Sequence, residues 1–169
     1  MKKLISIYPG TFDPVTNGHL DLIERSSELF DKVIVTIANN QSKEPLFSTD
    51  ERKDMLLNVT SHLSNIEIDC FDGLLVRYAE EKNTDVIIRG LRAISDFEYE
   101  FQMSLTNRKL NPKINTIFLM PNEKFTYLNS SLVRELASFN AGIKEFVPEY
   151  VFKKLEEKFR NQKLKKIKP

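Results

Sequence analysis

A single cysteine, Cys70, excludes an internal disulfide framework and points to a reducing compartment, so cytoplasmic localisation is expected. With only two histidines, His19 and His62, far apart in the chain, no Cys/His set has the spacing of a zinc site, and no metal ligand is expected. No apolar run approaches the roughly 20 residues needed to span a bilayer. The apolar stretch of "MKKLISIYPGT" is too short for the core of a signal peptide and runs straight into a glycine turn. The chain also lacks a G-x-x-x-x-G-K-[ST] loop and a G-x-G-x-x-G fingerprint, which removes the two commonest phosphate-binding signatures. A net charge of +1 gives no sign of a nucleic-acid-binding protein. That balance hides an asymmetry, because Lys153 to Pro169 carries +6 and the rest of the chain −5. Such a basic end reads as a solvated helix end and a flexible tail over 161–169.

What is present is alternation. Apolar runs that suit buried strands recur at Leu4–Tyr8, Val33–Ala38, Ile66–Cys70, Val86–Ile88 and Thr116–Leu119. Helical patterns lie near 20–30, 49–62, 73–82, 95–108, 130–138 and 148–160. Ser48 and Glu51 have the spacing of a capping box before the second of these, and Pro148 suits a first helical turn. Strands joined by helices through short links predict one α/β domain over 1–160, Rossmann-like, with a five-stranded parallel sheet and helices on both faces. Ligands of such sheets bind beyond the carboxyl ends of the strands.

The loops at those ends collect the chemistry. "YPGTFDPVTNGH" places Thr11 and then His19 between the first strand and the first helix, where free N–H groups and the helix dipole favour phosphate. Lys43 follows the second strand, Arg89 and Arg92 flank Gly90 after the fourth, and Asn129-Ser130-Ser131 precede a helix after the fifth. Serines at a helix start commonly serve as N-caps, and the same start leaves N–H donors for an anion. His62, at a helix end, reads as a surface or dipole-compensating residue, and Cys70 as an apolar filler rather than a nucleophile. Phe97, Tyr99, Phe101 and Met103 read as core or subunit-contact residues.

These blocks resemble bacterial phosphopantetheine adenylyltransferase. Thr16-Asn17-Gly18-His19 is similar to the T/H-x-G-H nucleotidyltransferase signature, and "IIRGLRAISDFEYEFQM" and "FLMPNEKFTYLNSSLVRE" look like the family's second and third blocks. The likeness runs from Leu4 to about Leu155. It implies reversible transfer of an adenylyl group from ATP to 4′-phosphopantetheine, giving dephospho-CoA and pyrophosphate in coenzyme A synthesis. It also implies Mg²⁺ travelling with ATP, a homohexamer built as a dimer of trimers, feedback inhibition by coenzyme A, and no nucleic-acid or membrane partner.

By the same resemblance, Thr11 and Lys43 orient the acceptor phosphate, while His19 and Lys43 stabilise charge at the α-phosphate. Arg89 contacts the acceptor phosphate and Leu75 lines the pantetheine channel. Thr11, Phe12, His19, Gly90, Leu91, Arg92 and Glu100 match ATP-site positions, with Arg92 reaching the departing phosphates. Phe125, Thr126, Tyr127, Leu128, Asn129, Ser130 and Ser131 match the ATP loop. The family's usual loop has serine where this chain has Asn129, whose amide can still donate a hydrogen bond. Three rival readings remain beside this one: adenylyl transfer to nicotinate or nicotinamide mononucleotide, a nucleotide sensor without turnover, and a nucleic-acid-binding module that rests only on the basic tail.

Overall fold

Alternate residues of the central strands go to opposite sides of one sheet, and this settles where the helices lie. In the computed structural model, which describes residues 3–39, 44–92 and 94–167, five strands form a parallel sheet. They are β1 (Ile5–Gly10), β2 (Lys32–Ala38), β3 (Ile66–Phe71), β4 (Val86–Gly90) and β5 (Asn115–Leu119). Their order is β3-β2-β1-β4-β5. Six α-helices connect and follow them: α1 (Asn17–Leu29), α2 (Thr49–Val59), α3 (Leu75–Glu81), α4 (Ile94–Leu110), α5 (Ser130–Ser138) and α6 (Glu149–Ile167).

Tyr8, Val33, Val35, Ile37 and Ile88 enter one core with residues of α1, α2, α5 and α6, such as Ile23, Met55, Val133 and Leu155. Their neighbours Ile7, Ile34 and Ile87 enter a second, smaller core with Val76 and Ala79 of α3. Both faces of the sheet are therefore covered, as near-continuous apolar strands require. Each fully buried aliphatic side chain in these layers contributes roughly 1.5–3 kcal/mol.

The sequence expectation for strand and helix count holds, with shifted ends. β1 continues through Pro9 and Gly10, and β4 through Arg89 and Gly90, so both strands carry their polar and glycine residues to the sheet edge. The last helix continues to Ile167 rather than ending near 160. The capping box of α2 forms: Glu51 N–H donates to Ser48 Oγ at 3.2 Å, and Ser48 N–H donates to Glu51 Oε2 at 2.7 Å.

From β1 the sheet grows one way through β2 and β3 and the other way through β4 and β5. Connections thus leave β1 and β4 toward opposite sides, and a crevice opens where their carboxyl ends diverge.

Candidate active site

A cavity of about 820 Å³ occupies that crevice, within the range of small-molecule sites. Its floor is the end of β1. Gly10 is needed there because a Cβ would meet the Phe12 ring at 2.8 Å. Phe12 has a left-handed backbone (φ 49°), and its ring is buried beneath the cavity. The ring then meets His19 edge to face, with centroids 5.2 Å apart.

His19 sits in the first turn of α1, fixed by a second capping box. The N–H of His19 donates to Thr16 Oγ1 at 3.3 Å, and the N–H of Thr16 donates to His19 Nδ1 at 3.1 Å. Because Nδ1 accepts, the proton of the neutral ring is on Nε2, the donor left to the cavity that His19 lines. Burial, and after it the Arg92 guanidinium, push this imidazole down to about 4, so it is neutral near pH 7. The arrangement offers one oriented, uncharged N–H donor that costs no reorganisation when charge develops nearby.

Three arginines stand on the β4 side, and each has a carboxylate. Arg89 donates from Nε to Glu100 Oε2 at 2.7 Å, from a second nitrogen to Glu100 Oε1, and from a third to Pro9 O at 3.1 Å. Burial works against the Arg89 charge, but the Glu100 carboxylate more than offsets it and holds the guanidinium protonated. Arg92 pairs with Asp96 at 3.0 Å and donates to Leu128 O at 3.0 Å. Arg134 pairs with Asp13 at 3.3 Å and also donates to the Asp13 carbonyl. Gly90 admits Leu22 of α1, whose Cδ1 lies 2.6 Å from where a Cβ would stand, and the close approach brings α1 against β4.

The structure brings most of the expected residues to this cavity. Thr11, Phe12 and His19 line it with Leu75, Arg89 and Gly90, as do Arg92, Glu100 and Phe125. Leu128, Asn129, Ser130 and Ser131 complete the far end. Three expected positions are absent from the wall. The N–H of Leu91 donates to Leu119 O at 3.0 Å, continuing the β4–β5 ladder. Thr126 closes a 3₁₀ turn onto Glu123 O through its N–H at 3.2 Å and donates to the same oxygen through Oγ1 at 2.9 Å, and the Tyr127 ring packs edge-on against Phe146. Lys43 lies outside the described residues.

The serines of the last loop are not its cap. Asn129 is, accepting from Leu132 N–H at 2.8 Å through Oδ1. Ser130 instead donates to Pro14 O at 2.8 Å, tying α5 to the first loop, and Ser131 accepts from Arg134 at 3.1 Å. Tyr99 and Met103, expected in a core or contact, line the cavity, and Tyr99 is 62% exposed. Away from the cavity, His62 pairs with Glu24 at 3.1 Å. Burial pushes the half-buried Cys70 thiol up, away from nucleophilic form.

Asp13, Asn39, Arg52, Asn107 and Arg134 also line the cavity and escaped the sequence reading. Asp13 stood within the quoted first block and Arg134 four residues after Ser130, so position could have flagged both. The buried Asp13 carboxylate accepts from the N–H groups of Leu46 and Phe47, each at 2.9 Å, which pins the segment leading into α2 against the first loop.

The strand order and a helix-borne histidine facing a cation-lined crevice make this an α/β protein with a phosphate-binding site at its switch point. The sequence model described as cytidylyltransferase-like matches residues 7–136. Among curated relatives, phosphopantetheine adenylyltransferase of Caldanaerobacter subterraneus is 56% identical over 92% of this chain and 98% of its own. That of Carboxydothermus hydrogenoformans is 56% identical over 94% and 98% respectively. The chain belongs to the phosphopantetheine adenylyltransferase family. A Vibrio parahaemolyticus structure provisionally named nicotinate-nucleotide adenylyltransferase shares the fold, with TM-score 0.66 at 17% identity, covering 95% of this chain and 93% of that one.

Proposed function

We propose that the chain transfers the adenylyl group of ATP to the phosphate of 4′-phosphopantetheine, releasing dephospho-CoA and pyrophosphate in coenzyme A synthesis. An acceptor phosphate oxygen attacks the α-phosphorus, and the bond from that phosphorus to the oxygen bridging to the β-phosphate breaks. The acceptor is already ionised, so no protein nucleophile or strong base is required. Catalysis is then positioning together with stabilisation of charge on the α-phosphate.

The observation that carries the reading is the neutral His19 ring, its tautomer set by Thr16, at the seam between β1 and β4. Its Nε2–H is assigned to the α-phosphate oxygens, where the contact tightens as charge builds. Thr11 and Lys43 orient the acceptor phosphate, a role that rests on the likeness of the sequence blocks. Arg89 meets the acceptor phosphate, and Leu75 its pantetheine arm. Arg92, with the α5 start at Ser130 and Ser131, faces the departing phosphates. The relatives' printed name supports the choice of acceptor over nicotinate mononucleotide.

Among the described residues, no group of three or more His, Cys, Asp or Glu is placed to hold a metal ion. Asp13, Asp96 and Glu100 are each engaged by an arginine. The donor set therefore suits Mg²⁺ carried by the nucleotide, where it would neutralise triphosphate charge, rather than a protein cage.

The proposal includes a homohexamer, and exposed Phe97, Tyr99, Phe101 and Leu105 on α4 support a contact between subunits. It also includes cytoplasmic residence, and inhibition by coenzyme A, which shares the acceptor's pantetheine arm. The test is pyrophosphate release from ATP and Mg²⁺, with 4′-phosphopantetheine and nicotinate mononucleotide offered separately. Release with phosphopantetheine alone is expected. Release with the mononucleotide alone would overturn the acceptor but keep the chemistry.

A further inference from the structure

Arg52 is the fourth arginine of the cavity wall, and its surroundings differ from those of the other three. It lies in the first turns of α2, is 3% exposed, and lines the cavity. Its nitrogens donate to Thr11 O at 2.9 Å, Asn39 Oδ1 at 3.2 Å, Thr49 Oγ1 at 3.1 Å and Ser48 O at 3.4 Å. Every one of these acceptors is neutral. Among the described residues no carboxylate comes within 4.0 Å of it, whereas Arg89, Arg92 and Arg134 each have one.

A guanidinium removed from water without a counter-ion carries a desolvation cost that neutral partners offset only in part. A site that binds an anion supplies the missing counter-charge from its ligand. The hydrogen bonds also have a geometric result. They reach the residue after β1 and the residue after β2, so one rigid fork sets the spacing of the two loops that hold Thr11 and Asn39. Asn39 N–H donates to Phe71 O at 3.3 Å on the β2–β3 side of the sheet, where Phe71 and Leu75 add apolar wall, whereas Arg92 follows β4 on the other side of β1.

We propose that Arg52 is a positioning residue for the acceptor: it holds Thr11 in register with β2 and keeps an unneutralised positive charge beside the acceptor phosphate. This rests on the reaction proposed above. The pyrophosphate of the leaving group is assigned to Arg92 and the start of α5, and the acceptor phosphate to Arg89, so the charge of Arg52 adds to the acceptor end of the cavity instead of strengthening both substrates.

The test is steady-state kinetics of Arg52→Met and Arg52→Lys in the full chain, with KM measured for each substrate and melting temperature recorded. Loss of a charge-assisted interaction predicts that Arg52→Met raises KM for 4′-phosphopantetheine by about tenfold or more and KM for ATP by less than about threefold. Both variants lose the fork that positions Thr11 and should lower kcat about tenfold, but Arg52→Lys, which keeps the charge, should return the acceptor KM to within about threefold of wild type. Equal rises in both KM values, or an unchanged acceptor KM, in variants that melt with the wild type would overturn the inference. If Arg52→Met does not fold, Arg52→Lys decides. A KM that rises tenfold for both substrates there would equally overturn it. A wild-type chain that releases no pyrophosphate with this acceptor would bring down the reaction and this inference together. Turnover by the wild type without the substrate split would bring down only the role of Arg52.

Discussion

On the wall of the cavity built by β4, α4 and α5, positive charge is held in pairs; on the wall built by β1, β2 and α2, it is not. Arg89, Arg92 and Arg134 face Glu100, Asp96 and Asp13, while Arg52 donates only to neutral oxygens. A paired arginine must share or exchange its carboxylate when a phosphate arrives, so it gains only the difference between two partners. In return its place is fixed before the ligand comes, which suits groups that must meet a transition state in one geometry. An arginine among neutral acceptors gains more from an anion but demands one. The two walls thus divide orientation from attraction, and His19 stands at the seam between them.

Breaking the seam should have the largest effect. His19→Ala removes the oriented donor and is expected to lower kcat by about 10²–10³ with the fold retained. Single-turnover kinetics beside circular dichroism check this, and a variant keeping a third of wild-type kcat would take His19 out of the reaction.

Next in size is the paired wall. Glu100→Gln leaves Arg89 without its carboxylate, and because the pair is partly exposed (29% and 11%) the loss of stability should be about 2 kcal/mol, below that of a fully buried pair. Urea unfolding measures it. An unchanged midpoint would reduce the pair to a surface contact.

A subtler probe reads the field of that wall at His19. Arg92→Gln removes the second cause of the depressed imidazole pKa while leaving burial, so titration of the ring by NMR should move up from about 4 by less than about 1 unit. The sign for stability follows. The unfolded chain takes up a proton near pH 6.5 that the folded ring refuses until about 4. Stability contributed by this group is therefore complete above pH 6.5 and declines as pH falls from 6.5 toward 4. The decline should be shallower in Arg92→Gln.

The smallest effect belongs to the other histidine. His62→Gln, an exposed residue paired with Glu24, should change stability by no more than about 0.5 kcal/mol and leave kcat alone.

The alternation of strands and helices was legible because each strand is an apolar run and each helix has its own period, both local properties. The capping box at Ser48 was legible for the same reason, since its two residues lie three apart. The cap at Thr16 went unread although it has the same spacing, because its partner is a histidine rather than Glu or Gln. For α4, "FEYEFQM" left core and subunit contact open, and the structure removes the first choice, since Phe97, Tyr99, Phe101 and Met103 are all exposed on a single chain. Asp13, Arg52 and Arg134 could not be weighted from the sequence, because their partners are distant in it. Arg134 reaches Asp13 across 121 residues and Arg52 reaches Thr11 across 41. Charge pairing of that kind exists only once the sheet has assembled.

The contact of Gly10 with Phe12 has a mechanical consequence. The ring of Phe12 is pressed against Gly10 on one side and meets His19 edge-on at the other, so the three form a short lever. A methyl group added at Gly10 would push the ring, and the ring would tilt the imidazole that Thr16 holds only at Nδ1, through its N–H at 3.1 Å and its Oγ1 at 3.0 Å. The aim of the Nε2 donor is thus set from behind, by a residue that presents no functional group of its own.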